Sequence, residues 1–144
     1  MRILLDVNIL VRANEKARGL PRTLLTQLIA QGHTLLISSE MLVELAGVLR
    51  YPRLQALYGL TEDQIYDYIL FLRQASEIVI LDHLLSVPMR DPKDLAVLRT
   101  AVIGEANIIC TLDSDFYAVE TKTFCAALRI EICTDVELAG RIKP

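Results

Sequence analysis

The chain has 144 residues, 53% hydrophobic and 23% charged, with a formal charge of −3. That length and apolar content make a globular protein with a sizeable core and exclude intrinsic disorder. No apolar run approaches the roughly 20 residues needed to span a bilayer, and the first run stops at Asp6, too early for a signal peptide. These features predict one domain over residues 1–144, cytoplasmic and without a membrane partner. The acidic balance lacks the basic footprint of a sequence-specific DNA binder but accommodates a nuclease whose metal ions offset its own acids. Cys110, Cys125 and Cys133 are odd in number and show no paired ligand spacing, so they are expected to be buried free thiols.

Residues 3–5 form a short apolar run ending at Asp6, which reads as a strand buried on both faces. Asn8 then caps a short helix running from Ile9 toward Ala13. Gly19-Leu-Pro21 is a break, and a helix over 22–30 carries Leu24, Leu25, Leu28 and Ile29 on one stripe. Residues 35–37 are the second strand, and Ser38 or Ser39 caps a helix to about Arg50. Tyr51-Pro52 interrupts that helix, and a short helical piece leads to Gly59. Thr61 to Gln64 is a capping box opening a helix to about Gln74. The third strand is placed at 78–81, a helix at 90–102, the fourth strand at 108–112 and a short turn or helix from Asp113. Residues 130–133 are the fifth strand, and Thr134 caps a last helical turn.

Strands alternating with helices imply βαβ units: a three-layer α/β sandwich on a mostly parallel five-stranded sheet. Such folds place their site at the carboxyl ends of the strands, where the strand order reverses. If the fourth strand lies beside the first, Asp6 and Asp113 both emerge at that point. Glu44 falls at the edge of the stripe made by Met41, Leu42, Leu45, Val48 and Leu49, about 40° from Val48, while Glu40 lies farther round. A solvated flank residue and a cleft acid are both open readings for Glu44. Asp91, Pro92 and Asp94 fit the N-cap, first and third positions of a helix, and Asp113 and Asp115 can likewise cap. Taken together, however, these acids follow three strands and lie near helix starts. Two unit charges about 4 Å apart repel by roughly 1 kcal/mol in water and roughly 4 at an effective dielectric of 20. Such a cluster implies a hard divalent cation, Mg²⁺ or Mn²⁺, because no Cys or His cluster accompanies it. His33 and His83 lie in unrelated loops and are read as solvated.

An Asp-x-Asn after the first strand, Ser-Ser-Glu-x-x-x-Glu, Arg-Asp-Pro-x-Asp and a late Thr-x-Asp resemble the motifs of the PIN-domain family. The likeness runs over essentially the whole chain and is nearest to the toxins of prokaryotic type II toxin–antitoxin modules. It implies a Mg²⁺- or Mn²⁺-dependent endoribonuclease with Asp6, Glu44, Asp94 and Asp113 as its acidic quartet. Asp6, Asp94 and Asp113 would hold metal, with Asn8, Thr111 and Asp115 in support. The implied partners are an RNA substrate, a cognate antitoxin and a second copy of the chain. Asn107 departs from the pattern, since related sequences often carry Asp just before the fourth strand. Arg12, Lys16, Arg18 and Arg22 form either an RNA-backbone contact or a solvated charged loop.

Two rival readings remain open. A haloacid-dehalogenase-type phosphotransferase also begins with a strand ending in aspartate, but expects a second aspartate where this chain has Asn8. A catalytically inactive RNA- or partner-binding module would keep the fold without turnover. On the helix from Thr61, residues Ile65, Ile69 and Leu72 are expected to face the core. Tyr66, Tyr68, Leu70 and Phe71 spread farther round, which predicts a homodimer through this helical region.

Overall fold

The structure, a computed structural model, describes residues 1–142, so the last two residues of the expected domain lie outside it. Its elements are β1 (Arg2–Leu5), α1 (Val7–Val11), α2 (Leu20–Ala30), β2 (Thr34–Ile37), α3 (Ser39–Leu49), α4 (Pro52–Tyr58) and α5 (Glu62–Ala75). They continue with β3 (Ser76–Ile78), α6 (Pro92–Ile103), β4 (Ile108–Cys110), a 3-10 turn (Ser114–Tyr117), α7 (Val119–Ala127), β5 (Glu131–Cys133) and α8 (Asp135–Arg141).

All five strands are parallel, in the order β3-β2-β1-β4-β5. Ile3, Leu4 and Leu5 are all buried although successive strand side chains point to opposite faces, so the centre of the sheet is covered on both sides. Helices α2 and α8 pack on each other, and α3 packs against α1, α5 and α6. Each fully buried Leu or Ile in this core contributes about 1.5–3 kcal/mol relative to exposure. Together these features give an α/β fold with a central parallel sheet between helices.

Local chemistry starts and stops the helices as expected at several points. Ser38 Oγ accepts from the Met41 amide to open α3, and full capping boxes open α5 (Thr61, Gln64) and α8 (Thr134, Glu137). Pro52 and Pro92 occupy first-turn positions where no amide is missed. Gly59 ends α4 at φ 58°, the left-handed region that favours glycine. Gly104 closes α6 where a Cβ would stand 2.8 Å from the Thr100 carbonyl oxygen, against Val79 and Leu36.

The differences from the sequence reading have local causes. The third strand lies at Ser76–Ile78 rather than 78–81, because its only neighbour, β2, ends at Ile37. The Val79 amide takes the last β2 carbonyl, that of Ile37, and Ile80 then stands in solvent. Strand β4 ends at Cys110, not at residue 112, and Leu112 is exposed. Helix α7 is an element the sequence reading lacked. The N-cap of α1 is Asp6 rather than Asn8, so the strand's last carboxylate itself opens the next helix. Tyr68 lies on the core stripe with Ile65 and Leu72, and its hydroxyl donates to the Leu10 carbonyl at 2.6 Å.

Candidate active site

The strand order reverses between β1 and β4, which pair Leu4 with Ile109 and Leu5 with Cys110. At their carboxyl ends the ladder runs on into Asp6, whose amide donates to the Cys110 carbonyl at 2.9 Å. Asp6 is buried, and two donors hold its carboxylate. The Val7 amide donates to Oδ1 at 2.7 Å and the Thr111 hydroxyl to Oδ2 at 2.6 Å. The same hydroxyl oxygen accepts the Asp113 amide at 3.0 Å, so Thr111 ties the two strand ends together. Burial is the main reason why the Asp6 carboxyl is held above its ordinary range; Thr111 and Val7 oppose that and Asp113 adds to it.

The acids at the start of α6 divide their roles. Asp91 caps the helix by accepting the Lys93 amide at 2.9 Å. Asp94, at the third helical position, is therefore free of capping and faces the interior, 8% exposed. Burial, reinforced by the charges of Asp113 and Asp91, pushes its carboxyl up to about 7. Asp113 in turn caps the 3-10 turn by accepting the Asp115 amide at 2.9 Å. Glu44 comes from the middle of α3, half-buried; burial raises its pKa, and Lys93, with Nζ at 3.9 Å, partly opposes that.

Asp6, Glu44, Asp94 and Asp113 all line one cleft of about 230 Å³, together with Asn8, Asp91 and Lys93. Asp94, Asp113 and Asp115 offer carboxylate oxygens that lie within 4.8 Å of one another. Asp6 lines the cleft but lies outside that triplet. Opposite oxygen ligands of a Mg²⁺ ion stand about 4 Å apart, so the triplet closes on one hard cation with small adjustments. The donor chemistry, all carboxylate, fits Mg²⁺ or Mn²⁺.

Other residues singled out from the sequence lie elsewhere. Lys16 and Arg22 donate to the backbone carbonyls of Gly59 and Ala13, and Arg12 reaches Asp135 at 3.8 Å. None of these three lines the acidic cleft. Asn107 sits at the amino end of β4, where its amide oxygen accepts from Arg2 at 2.7 Å, at the far end of the strands from the quartet. His83 bonds Glu40 at 2.6 Å in a neighbouring, more apolar hollow of about 430 Å³, and His33 meets the amino terminus. The sequence reading missed Tyr51 and Arg53 on the cleft wall. A signal was present, since Glu44, Val48 and Tyr51 follow the i, i+4, i+7 spacing of one helix face.

Among solved structures, the fold is similar to that of a chain in VapBC2 from Rickettsia felis bound to a DNA fragment from their promoter. The two are 18% identical, with a TM-score of 0.60 over 93% of this chain and 98% of that one, a likeness of fold. No curated protein sequence matches the chain. A family model described as PIN domain matches residues 2–115, most of the chain and every acid of the cleft. The chain belongs to the PIN-domain family.

Proposed function

We propose that this protein is a metal-dependent endoribonuclease, the toxin of a toxin–antitoxin pair. The observation that carries the reading is the convergence of Asp6, Glu44, Asp94 and Asp113 on one cleft at the switch point of a PIN fold. Asp94, Asp113 and Asp115 would hold Mg²⁺ or Mn²⁺, with Asp6 beside them. When bound, the ion supplies Lewis acidity toward a phosphate oxygen and makes a water molecule easier to deprotonate.

The chain's own residues do the remaining work. Thr111 and the Val7 amide fix the rotamer of Asp6, so the carboxylate needs no reorganisation when substrate arrives. Glu44, whose carboxyl burial makes more basic than an exposed glutamate, is placed to orient the attacking water or take its proton. Lys93, largely exposed with its Nζ 3.9 Å from Glu44 on the cleft wall, offers a cation to the substrate backbone. The fold likeness to VapBC2 and the motif resemblance support an antitoxin partner. Exposed Leu57, Tyr66, Leu70 and Phe71 on α4 and α5 support a homodimer.

The test is cleavage of a single-stranded RNA with Mg²⁺ or Mn²⁺, with chelator, and with Asp6→Asn or Asp113→Asn. Metal-dependent cleavage lost in both variants is the expected result. Strand binding without turnover under every metal condition would favour the inactive binding module. A covalent phospho-aspartate would favour the phosphotransferase.

A further inference from the structure

Tyr51 and Arg53 bring an aromatic ring and a guanidinium to the wall of the acidic cleft, and neither side chain has a hydrogen-bond or ion-pair partner among the described residues. Their placement follows from the break between α3 and α4. Pro52 excludes helical geometry at the residue before it, so Tyr51 takes φ −61° and ψ 141° and the chain turns there. The backbone of Tyr51 is locked on both sides: its amide donates to Val48, and its carbonyl accepts from Leu54 and Gln55. Its side chain, by contrast, is 50% exposed and makes no hydrogen bond among the described residues. Tyr51 lies just past the end of α3, and with Val48 and Glu44 of that helix it lines the acidic cleft.

Arg53 is equally uncommitted. Arg2, Arg12, Arg50 and Arg141 are each paired with a carboxylate, and Arg22 and Arg99 donate to carbonyls. Arg53, like Arg18, Arg73, Arg90 and Arg129, has no ion-pair partner within 4.0 Å among the described residues, but of these five it is the one that lines the carboxylate-rich cleft. An anion from outside the chain would give it the partner that the cleft's own carboxylates do not.

Resting on the ribonuclease reading, we propose that Tyr51 and Arg53 are the subsite for the nucleotide flanking the scissile phosphate, the base stacking on Tyr51 and its phosphate meeting Arg53. A rigid backbone with a free aromatic face is what base stacking needs, because little side-chain entropy is lost. A base that stacks on protein must leave its own helix, so this subsite accepts an unpaired nucleotide and rejects a duplex one.

The test uses hexauridylate and six versions of it, each with one base removed, titrated by fluorescence anisotropy with Ca²⁺ against wild type, Tyr51→Ala, Tyr51→Phe and Arg53→Ala. Tyr51→Ala should weaken binding of the intact strand about 10- to 100-fold, and Tyr51→Phe should restore it. One abasic version should bind wild type equally weakly and be indifferent to Tyr51→Ala. Arg53→Ala should weaken all strands alike and flatten the salt dependence by about 0.7 in the log–log slope. If Tyr51→Ala loses the same factor on every abasic strand, or loses nothing while wild type still cleaves RNA, the subsite is wrong and the nuclease reading stands. If wild type neither binds nor cleaves, the nuclease reading fails and takes the subsite with it.

Discussion

Replacing Asp94 with asparagine removes the costliest ionisation in the cleft, and its effect on stability can be worked out from the structure. Burial, then Asp113 and Asp91, carry the Asp94 carboxyl from an ordinary 3.8 to about 7. Between about pH 4 and pH 7 the folded protein therefore keeps a proton that the unfolded chain has released. Stability of the metal-free protein falls as pH rises through that window; the penalty is absent below it and complete above it. A displacement of this size is worth up to about 4 kcal/mol, and relaxation of the neighbouring acids leaves about 2–4. Asparagine pays none of it and can still donate toward Asp115. At roughly 3 °C per kcal/mol for a chain of this length, Asp94→Asn should melt about 6–12 °C above wild type at pH 8 with chelator. The two should converge near pH 4.5. Adding Mg²⁺ or Mn²⁺ should raise wild type alone and shrink the gap by mass action on the native state. Calorimetry over a pH series is the assay. Equal melting temperatures at pH 8, or a gap that widens toward acid, would refute the linkage.

Further outcomes are expected at three other places. Thr111→Val strips a donor from Asp6 and an acceptor from the Asp113 amide, so urea unfolding at neutral pH should show a loss of about 2–4 kcal/mol. An unchanged midpoint would mean that water replaces the hydroxyl. Gly104→Ala sets a Cβ 2.8 Å from the Thr100 carbonyl and 3.0 Å from Val79; thermal unfolding should register about 1–3 kcal/mol of destabilisation. Tyr66→Asp should dissociate the proposed homodimer in light scattering over a dilution series, since Tyr66 is 66% exposed on α5. A wild-type monomer at every concentration would rule the dimer out, and a dimer indifferent to the substitution would move the interface elsewhere.

The number and kind of strands were legible because buried parallel strands are short apolar runs whose identity does not depend on their neighbours. Their ends were not, because an end is set by the partner: β3 stops where β2 runs out at Ile37, and nothing in residues 78–81 records that. Helix α7 was missed because it follows the 3-10 turn directly and Ala118 provides no capping side chain to announce it. Strand order was also hidden, since which strands pair is a property of the assembled sheet. Asp6, Asp94 and Asp113 were readable through the rule that sites gather after strands and at helix starts; Glu44, from the middle of α3, was chosen over a solvated flank only by the family resemblance. The division of labour at α6 was legible as well, because Asp91, Pro92 and Asp94 fit the N-cap, first and third helical positions, and Asp91 caps while Asp94 is buried. Tyr68 belongs by spacing to the buried face, since Ile65, Tyr68 and Leu72 follow i, i+3, i+7; the sequence reading gave that face to Ile69 instead. The Tyr68 ring passes through the core to a carbonyl of α1.

The three cysteines give the molecule an internal clock. Cys110 on β4, Cys133 on its neighbour β5 and Cys125 on α7 are all buried and free. A thiol-alkylating reagent can reach them only when this flank of the sheet opens, so the rate of labelling measures that opening without any probe being engineered in. The two strand thiols sit side by side, one residue before Thr111 and one before Thr134. Mass spectrometry of a partly labelled sample would therefore tell whether the strand that leads into the acidic cleft loosens alone or together with the outer strand.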